Sequence, residues 1–408
     1  MYLLTRLSWR NLWRNPKRSL LLISAIVVCI ASLIVTLAWI NGMLNQMVRN
    51  SIEFHIGELE VYKKGFIEDK DPANYIEETD SLLAHLESHR GIKNFAPRIE
   101  GRGLISSGYS SSGVQIVGIK PSLEADITLV KKSIISGIYL PENNDHRIII
   151  GEKMAEKLKV SLGEKVVITV QTVNKELAAD AFRISGIYKT ISKDFDKYMV
   201  YIPIERARSL LEINRGVTGV AVRTEPGQDV NALRNEINKI FGDSKIEAQT
   251  WGELEPLIKE MSEISKQWMM VFFLAVFVIL SIGIINTQNI AVYERMHELG
   301  VLKAIGTRPV FIFSMIMLET CFLGLTGLIA GFLISYPLVL YLSVHGLNLA
   351  LFADGLQVWG LGTRIYLDLK FMDIVYSSIA VLITSFFGAF IPAMRAGRLE
   401  PVEAIKYI

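Results

Sequence analysis

The sequence predicts a membrane α-helical fold: four transmembrane helices, with a large extracytoplasmic α+β domain between helices 1 and 2. Three observations predict it. Leu20–Ile40, Trp268–Ile290, Val310–Leu342 and Asp373–Met394 are long apolar runs with few or no charges, and about 20 such residues cross a bilayer. Residues 46–265 contain no such run and mix strand-like alternation with helical periodicity. Basic residues crowd the segments that four crossings would leave on one side, which marks that side as cytoplasmic. Composition agrees, since 50% of the 408 residues are hydrophobic and mean hydropathy is +0.34. That is high for a soluble enzyme and low for a chain buried wholly in lipid.

Net charge is +2, so global charge implies no nucleic-acid partner. The two cysteines, Cys29 and Cys321, sit inside apolar runs, which leaves the soluble part without a disulfide. Residues 1–18 hold Arg6, Arg10, Arg14, Lys17 and Arg18 and no acid. Arg6, Arg10 and Arg14 form one helical stripe, and Trp9 and Trp13 another, a combination suited to the headgroup level. Asn15–Pro16 reads as an N-cap followed by proline at the first helical position. The first span, 19–45, is expected as a retained anchor. Its apolar core is too long for a signal peptide, and Trp39-Ile40-Asn41-Gly42 is a poor cleavage site.

The domain at 46–265 alternates strands (Glu58–Lys63, Val114–Ile119, Arg147–Ile150, Lys165–Thr172, Phe182–Ile187, Tyr198–Ile202, Val217–Thr224, Lys245–Ala248) with helices (Asp80–His89, Glu152–Leu158, Glu205–Leu211, Val230–Phe241). Asn94–Ser106 is extended. The outer parts, about 46–112 and 217–250, read as strand and helix units. The middle, about 113–216, is richer in strand, as an inserted β-rich lobe.

Glu253–Lys266 is a charged helical pattern running directly into the second span, 266–291. Residues 292–309 then join two spans, yet Val292, Met296, Leu299, Leu302 and Ile305 recur at spacings of four and three, one face of a helix. Glu294, Arg295, Glu298 and Lys303 lie off that stripe, Gly300 sits mid-helix, and Gly306 suits the helix stop before Pro309. Two readings fit: a rigid helix pushed from the cytoplasm, or an amphipathic connector on the lipid surface. The third span, 310–342, carries Pro337 as a kink or outer end, and Gly324, Gly327 and Gly331 as a small-residue packing face. Glu319, well inside that span, either faces the bundle interior or reaches toward the interface. An outer loop (343–370), a fourth span (371–394) with Asp373 in the headgroups, and a cytoplasmic tail (395–408) complete the chain.

No catalytic constellation is present. There is no G-x-x-x-x-G-K-[ST] phosphate loop. His85 and His89 are four apart on a helix but lack an evident third metal ligand. Ser106–Ser112 (SSGYSSS) reads as a flexible polar loop without a G-x-S-x-G around it. Neither a cofactor nor a metal is expected in this chain.

The pattern resembles the FtsX-like permeases, the MacB and lipoprotein-releasing (LolC/LolE) type of ABC transporter subunit. Arg10–Arg18 (RNLWRNPKR) is similar to the family's approach to the first span, and Glu294–Gly306 (ERMHELGVLKAIG) to its cytoplasmic coupling helix. Glu319 falls where the family has an acid in the third span, and Arg395–Ile405 (RAGRLEPVEAI) resembles its C-terminal signature. Gly57–Gly65 and Gly346–Tyr366 look like the lipoprotein-releasing branch. The resemblance implies a permease in the bacterial inner membrane that works by mechanotransmission. ATP and Mg would be bound by a separate cytoplasmic ABC ATPase dimer, and a second permease subunit, identical or different, would complete the assembly. Glu294, Arg295, Met296, Glu298, Leu299, Gly300, Leu302 and Gly306 would then couple to the ATPase. Lipoprotein or another amphiphile is the implied cargo. Export of peptides or small amphiphiles, or signalling to a cell-wall hydrolase, are the alternatives. The branch that hands cargo to a periplasmic carrier has a projecting hook loop, whereas here Val173–Ala179 joins two strands with little to spare.

Overall fold

The computed structural model describes residues 2–142, 145–358 and 360–400. The tail beyond residue 400, including the end of the C-terminal signature, lies outside the described residues. The chain divides into two compact units, one of Met1–Leu44, Ser262–Asn348 and Ile365–Ile408, the other of Asn45–Met261 and Leu349–Arg364.

Among the described residues, four helices are long and apolar enough to cross a membrane. Span 1 is Pro16–Ser51, span 2 Pro256–Glu294, span 3 Pro309–His345 and span 4 Phe371–Arg398. A shorter helix, Tyr2–Leu12, precedes span 1. The charged stretch before span 2 is one helix with it, opened by a proline in the first turn, where the missing N–H costs nothing. Pro337 does not end span 3; like Pro392 of span 4, it lies inside its helix. Glycines set the close approaches. A Cβ on Gly327 would stand 2.6 Å from Ile26, one on Gly331 2.8 Å from Ile30, and one on Gly324 2.4 Å from the Ser385 hydroxyl. Without side chains there, span 3 lies directly on spans 1 and 4. Asp373, expected in the headgroups, is 7% exposed to its surroundings. It accepts from the Asn41 side chain at 2.7 Å and from the Lys370 N–H at 3.0 Å, capping span 4 from within.

The other unit is built on a ten-stranded sheet: β1 Leu59–Lys63, β2 Ile92–Ser106, β3 Ser111–Ile119, β4 Ile134–Gly137, β5 Arg147–Gly151, β6 Lys165–Gln171, β7 Leu177–Tyr188, β8 Met199–Pro203, β9 Gly219–Thr224 and β10 Ile246–Thr250. The order is β10-β1-β9-β2-β3-β8-β5-β7-β4, with β6 pairing β2 and β7. The strand-rich middle is therefore not closed on itself. β2 pairs β9 through Ile92–Arg98 and then β3 through Arg98–Ser106, so one strand is shared by both halves. Helices cover the sheet through Leu82, Leu86, Met154, Leu158, Leu210, Leu233 and Ile237, all buried.

The Ser106–Ser112 loop is not flexible in form. It is the tight β2–β3 hairpin, whose Ser107 and Ser110 hydroxyls donate to the Leu158 and Lys157 carbonyls at 2.7 Å each. The β6–β7 turn also folds back. Thr172 N–H donates to Glu176 O at 2.8 Å, and Val173 N–H to Leu211 O at 3.1 Å. The two histidines do meet a carboxylate, Glu236, with Nε2 to oxygen distances of 3.7 Å for His85 and 3.4 Å for His89. However, Gly91 N–H donates to His89 Nδ1 at 3.0 Å. That bond keeps the proton on Nε2, where a metal would have to bind.

Beneath β1 and β2 lies a buried charge cluster. Arg98 makes a fork onto Glu124, from Nε at 3.0 Å and Nη2 at 2.6 Å, and reaches Glu60 through Nη1 at 2.8 Å. Lys70 donates to Glu100 at 2.9 Å, and the Tyr62 hydroxyl donates to Glu60. Arg98, Glu60, Glu100 and Glu124 are each at most 2% exposed. Burial pushes the Glu60 carboxyl up to about 8; Arg98 opposes the rise and Glu100 adds to it.

Candidate coupling site

The linker between spans 2 and 3 is where local sequence and long-range contacts converge. The expected single helix over Val292–Gly306 is two pieces. Span 2 ends at Glu294, Arg295 leaves helical geometry at φ −108° and ψ 11°, and a new helix runs Met296–Ala304. At the break the Arg295 guanidinium is turned into the bundle, where Nη1 lies 2.9 Å from Glu319 Oε2. These side chains are 11% and 3% exposed, so the pair is nearly dry. Glu319 thus faces the interior rather than the interface.

The helix stop follows its glycine. Gly306 has φ +95°, the left-handed region that costs a β-carbon. Gly306 N–H donates to Lys303 O and Thr307 N–H to Leu302 O, each at 3.0 Å, the paired bonds of a Schellman motif.

Most of the apolar stripe packs inside the chain, while Ile305 at its end stays outside. Val292 and Leu299 form one cluster with Ile312, Met315 and Ile316 of span 3 and Ala389, Ala393 and Ala396 of span 4, with Leu302 against it. Met296 and Gly300 are also buried. Met296 and Leu299 thus face neighbouring spans, whereas Leu302 is half-buried. Periodicity identifies residues that share a face and is silent about what covers it. The outward face carries Glu294, His297, Glu298, Val301 and Ile305, with Ile305 75% exposed.

The charges off the stripe reach the other spans. Glu298 pairs with Arg14 at 2.7 Å and Glu294 with Arg18 at 2.8 Å, which ties the linker to the start of span 1. Arg295 Nε lies 3.8 Å from Glu298, so Arg14, Glu298, Arg295 and Glu319 form one row. Lys303 Nζ donates to the Leu399 carbonyl just past span 4, and Ser8 Oγ to Met315 O of span 3. The linker thus continues span 2, packs on spans 3 and 4, and pairs with Arg14 and Arg18 at the approach to span 1. Arg14 and Arg18 lie in the Arg10–Arg18 motif and Lys303 in the linker motif, but neither motif shows what these side chains pair with, and Ser8 lies in neither. Arg14 and Arg18 stand 284 and 276 residues from their partners. Among the described residues no group of three His, Cys, Asp or Glu could hold a metal.

In the other unit a cavity of about 300 Å³ is lined by Met47, Phe54, Phe195, Leu257, Ile258 and Met261, with Asn50, Ser192 and Glu255 among its polar edges.

Fold and site define a multi-pass membrane protein whose linker between spans 2 and 3 gathers the ends of the other two. The profile of the MacB-like periplasmic core domain matches residues 19–240, and that of the FtsX-like permease C-terminal region matches residues 270–401. The chain belongs to the MacB/FtsX-like permease family and is an ABC transporter permease of the LolC/MacB type. It is 24% identical over 401 residues to the lipoprotein-releasing system transmembrane protein LolC of Neisseria meningitidis serogroup B, covering 94% of this chain and 93% of the relative. Against the macrolide export ATP-binding/permease protein MacB of Bdellovibrio bacteriovorus, identity is 22%, covering 78% of this chain and 47% of the relative. Against the probable syringafactin export ATP-binding/permease protein SyfD of Pseudomonas syringae pv. syringae, it is 23%, covering 98% and 59%. Among solved structures, the periplasmic region of MacB from Actinobacillus actinomycetemcomitans aligns at 14% identity and a TM-score of 0.36, covering 50% of this chain and 94% of that one.

Proposed function

We propose that the chain is the permease subunit of a mechanotransmission ABC transporter that lifts lipoprotein or a similar amphiphile out of the outer leaflet of the bacterial inner membrane. Both termini are cytoplasmic in this reading, and residues 46–265 are extracytoplasmic. Hydrolysis takes place in a separate ATPase dimer, which binds ATP and Mg, and a second permease subunit completes the assembly. The linker helix carries the reading: an exposed face for a partner, and ion pairs and packing behind it to every span. A push on Val301 and Ile305 moves the Arg295–Glu319 pair and the start of span 1 together. The apolar cavity at Met47, Phe54, Phe195 and Leu257 is of a size and polarity that accepts part of an acyl chain. The relative at 24% identity is a lipoprotein-releasing protein by name, in line with that cargo.

A second reading is export of a peptide or small amphiphile through a periplasmic adaptor. The compact β6–β7 turn favours it, because it offers a periplasmic carrier no projecting hook.

The test is co-purification with the partner ATPase from native membranes, followed by identification of bound cargo. Val301→Asp and Ile305→Asp should each reduce ATPase recovery about tenfold or more, since each puts an unpaired charge at the contact. Leu299→Asp should instead lower expression, because Leu299 is internal. Full ATPase recovery with both exposed-face variants would falsify the coupling reading. A soluble peptide as the bound cargo would replace extraction by export.

A further inference from the structure

Gly346–Tyr366, between spans 3 and 4, contains the most exposed large apolar side chain noted in the described residues. Leu351 is 97% exposed and the adjacent Phe352 66%. They sit on a single 3₁₀ turn, Ala350–Phe352, that opens the short helix Ala353–Val358. The loop is not simply unpacked. Leu361 within it is 2% exposed. Leu349 N–H donates to Thr363 O at 2.8 Å, Leu361 N–H to Leu356 O at 2.9 Å, and the Asn50 amide to Gly360 O at 2.7 Å. The loop therefore has an inside, occupied by Leu361, and a fixed outside, occupied by Leu351 and Phe352.

We propose that Leu351 and Phe352 form a prong that enters the lipid of the leaflet on the side of the α+β domain. Three features select lipid as the occupant. Span 3 ends at His345, and the six residues from there to Leu351 extend at most about 20 Å, so the prong is tethered close to the end of a membrane helix. From Gly346 to Ala353 the sequence has no charge, whereas a surface built for water would carry one. Along the chain the prong continues the outward apolar residues at the end of span 3, Tyr341 at 59% and Val344 at 71% exposure, where an aromatic and apolar helix end suits the headgroup level. The function of the prong is to hold this loop in the headgroup layer, independently of which cargo the permease handles.

The test is spin labelling of the full chain in lipid nanodiscs. Cys29 and Cys321 are replaced by alanine and single cysteines introduced as Leu351→Cys, Phe352→Cys and, as a control, Tyr109→Cys. Tyr109 is 77% exposed at the tip of the β2–β3 hairpin, and its label should be relaxed by a water-soluble nickel chelate more than by oxygen. At 351 and 352 the order should reverse, with oxygen several-fold more effective. Nickel access at 351 equal to that at 109 overturns the proposal in favour of a solvated loop. Exclusion of both reagents overturns it in favour of a protein partner, such as a second copy of the chain.

Discussion

Two arginines in this protein are buried by carboxylates, and they are buried differently. Arg98 lies in a sheet core, with hydrogen bonds from Nε, Nη1 and Nη2 to Glu124 and Glu60 at 2.6–3.0 Å and an exposure of 2%. Arg295 lies at a helix break, with one short bond to Glu319 and an Nε that has no hydrogen-bond partner and sits 3.8 Å from the half-exposed Glu298. A fully satisfied fork between rigid strands fixes one geometry. A pair with an unmet donor, next to a second carboxylate and on a two-part helix, has somewhere else to go. The first arrangement belongs to an anchor and the second to a joint.

The sharpest way to break that contrast is to remove each arginine. Arg98→Met removes the guanidinium that Glu60 and Glu124 share and leaves Lys70 on Glu100. Breaking a buried pair costs about 3–5 kcal/mol, a large part of the roughly 5–15 kcal/mol that holds a domain. Hydrogen exchange along β1 and β2 should accelerate by two to three orders of magnitude. Wild-type protection in Arg98→Met would show that the cluster anchors nothing. For the joint the readout differs. Arg295→Gln and Glu319→Gln should keep ATPase recovery but lower cargo-stimulated hydrolysis about tenfold, a loss of about 1.4 kcal/mol. If the two residues act as a unit, the double variant should fall no further than either single one. Additive losses would mean that they work separately.

The anchor also makes a pH prediction. Burial holds the folded Glu60 carboxyl near 8, whereas the unfolded chain titrates at about 4.5. Between those values the folded state binds the extra proton, so stability falls as pH rises, by up to about 1.4 kcal/mol per unit, and levels off above 8. Melting of the α+β domain in the full chain should shift down between pH 6 and pH 8.5. Glu60→Gln, which mimics the protonated side chain, should flatten that shift. An equal shift in Glu60→Gln would move the cause elsewhere.

The two sites were unequally legible in the sequence. Span positions were legible because an uncharged run of about 20 residues has one dominant physical explanation. Glu319 announced itself as a carboxylate in such a run, and Gly306 as a helix stop. The linker stripe was legible as a face, but its covering was not. Leu299 packs on Ile312 and Ala393, residues that become neighbours only when spans 3 and 4 assemble. Every ion pair of the joint except Arg295–Glu298 links distant segments. The anchor was invisible for the same reason: Glu60, Arg98 and Glu124 look like ordinary surface charges until β9 joins β1 and β2 in one sheet and the helix that carries Glu124 packs on it. β4 was missed because Ile134–Gly137 is four residues long, with Ser and Gly at its end, too short for alternation to register.

The smallest expected effect tests how far the joint extends toward span 1. The Arg14–Glu298 side chains are 50% and 53% exposed, and Arg18–Glu294 are 17% and 49%. Exposed pairs are worth about 0–1 kcal/mol, so Arg14→Gln should alter stimulated hydrolysis less than twofold. Arg18→Gln should do somewhat more, because Arg18 is better shielded. Salt separates a working pair from a decorative one. At 0.1 M ionic strength charges are screened over about 10 Å, and at 1 M over about 3 Å. Wild-type hydrolysis should therefore approach that of Arg18→Gln as salt rises, while the variant itself changes little. Exchanging the charges, Arg18→Glu with Glu294→Arg, should restore the low-salt rate that either reversal alone reduces. If neither single reversal has an effect, the linker drives the bundle through Arg295–Glu319 and the Leu299 cluster alone, and span 1 follows by packing at Gly327 and Gly331 rather than by charge.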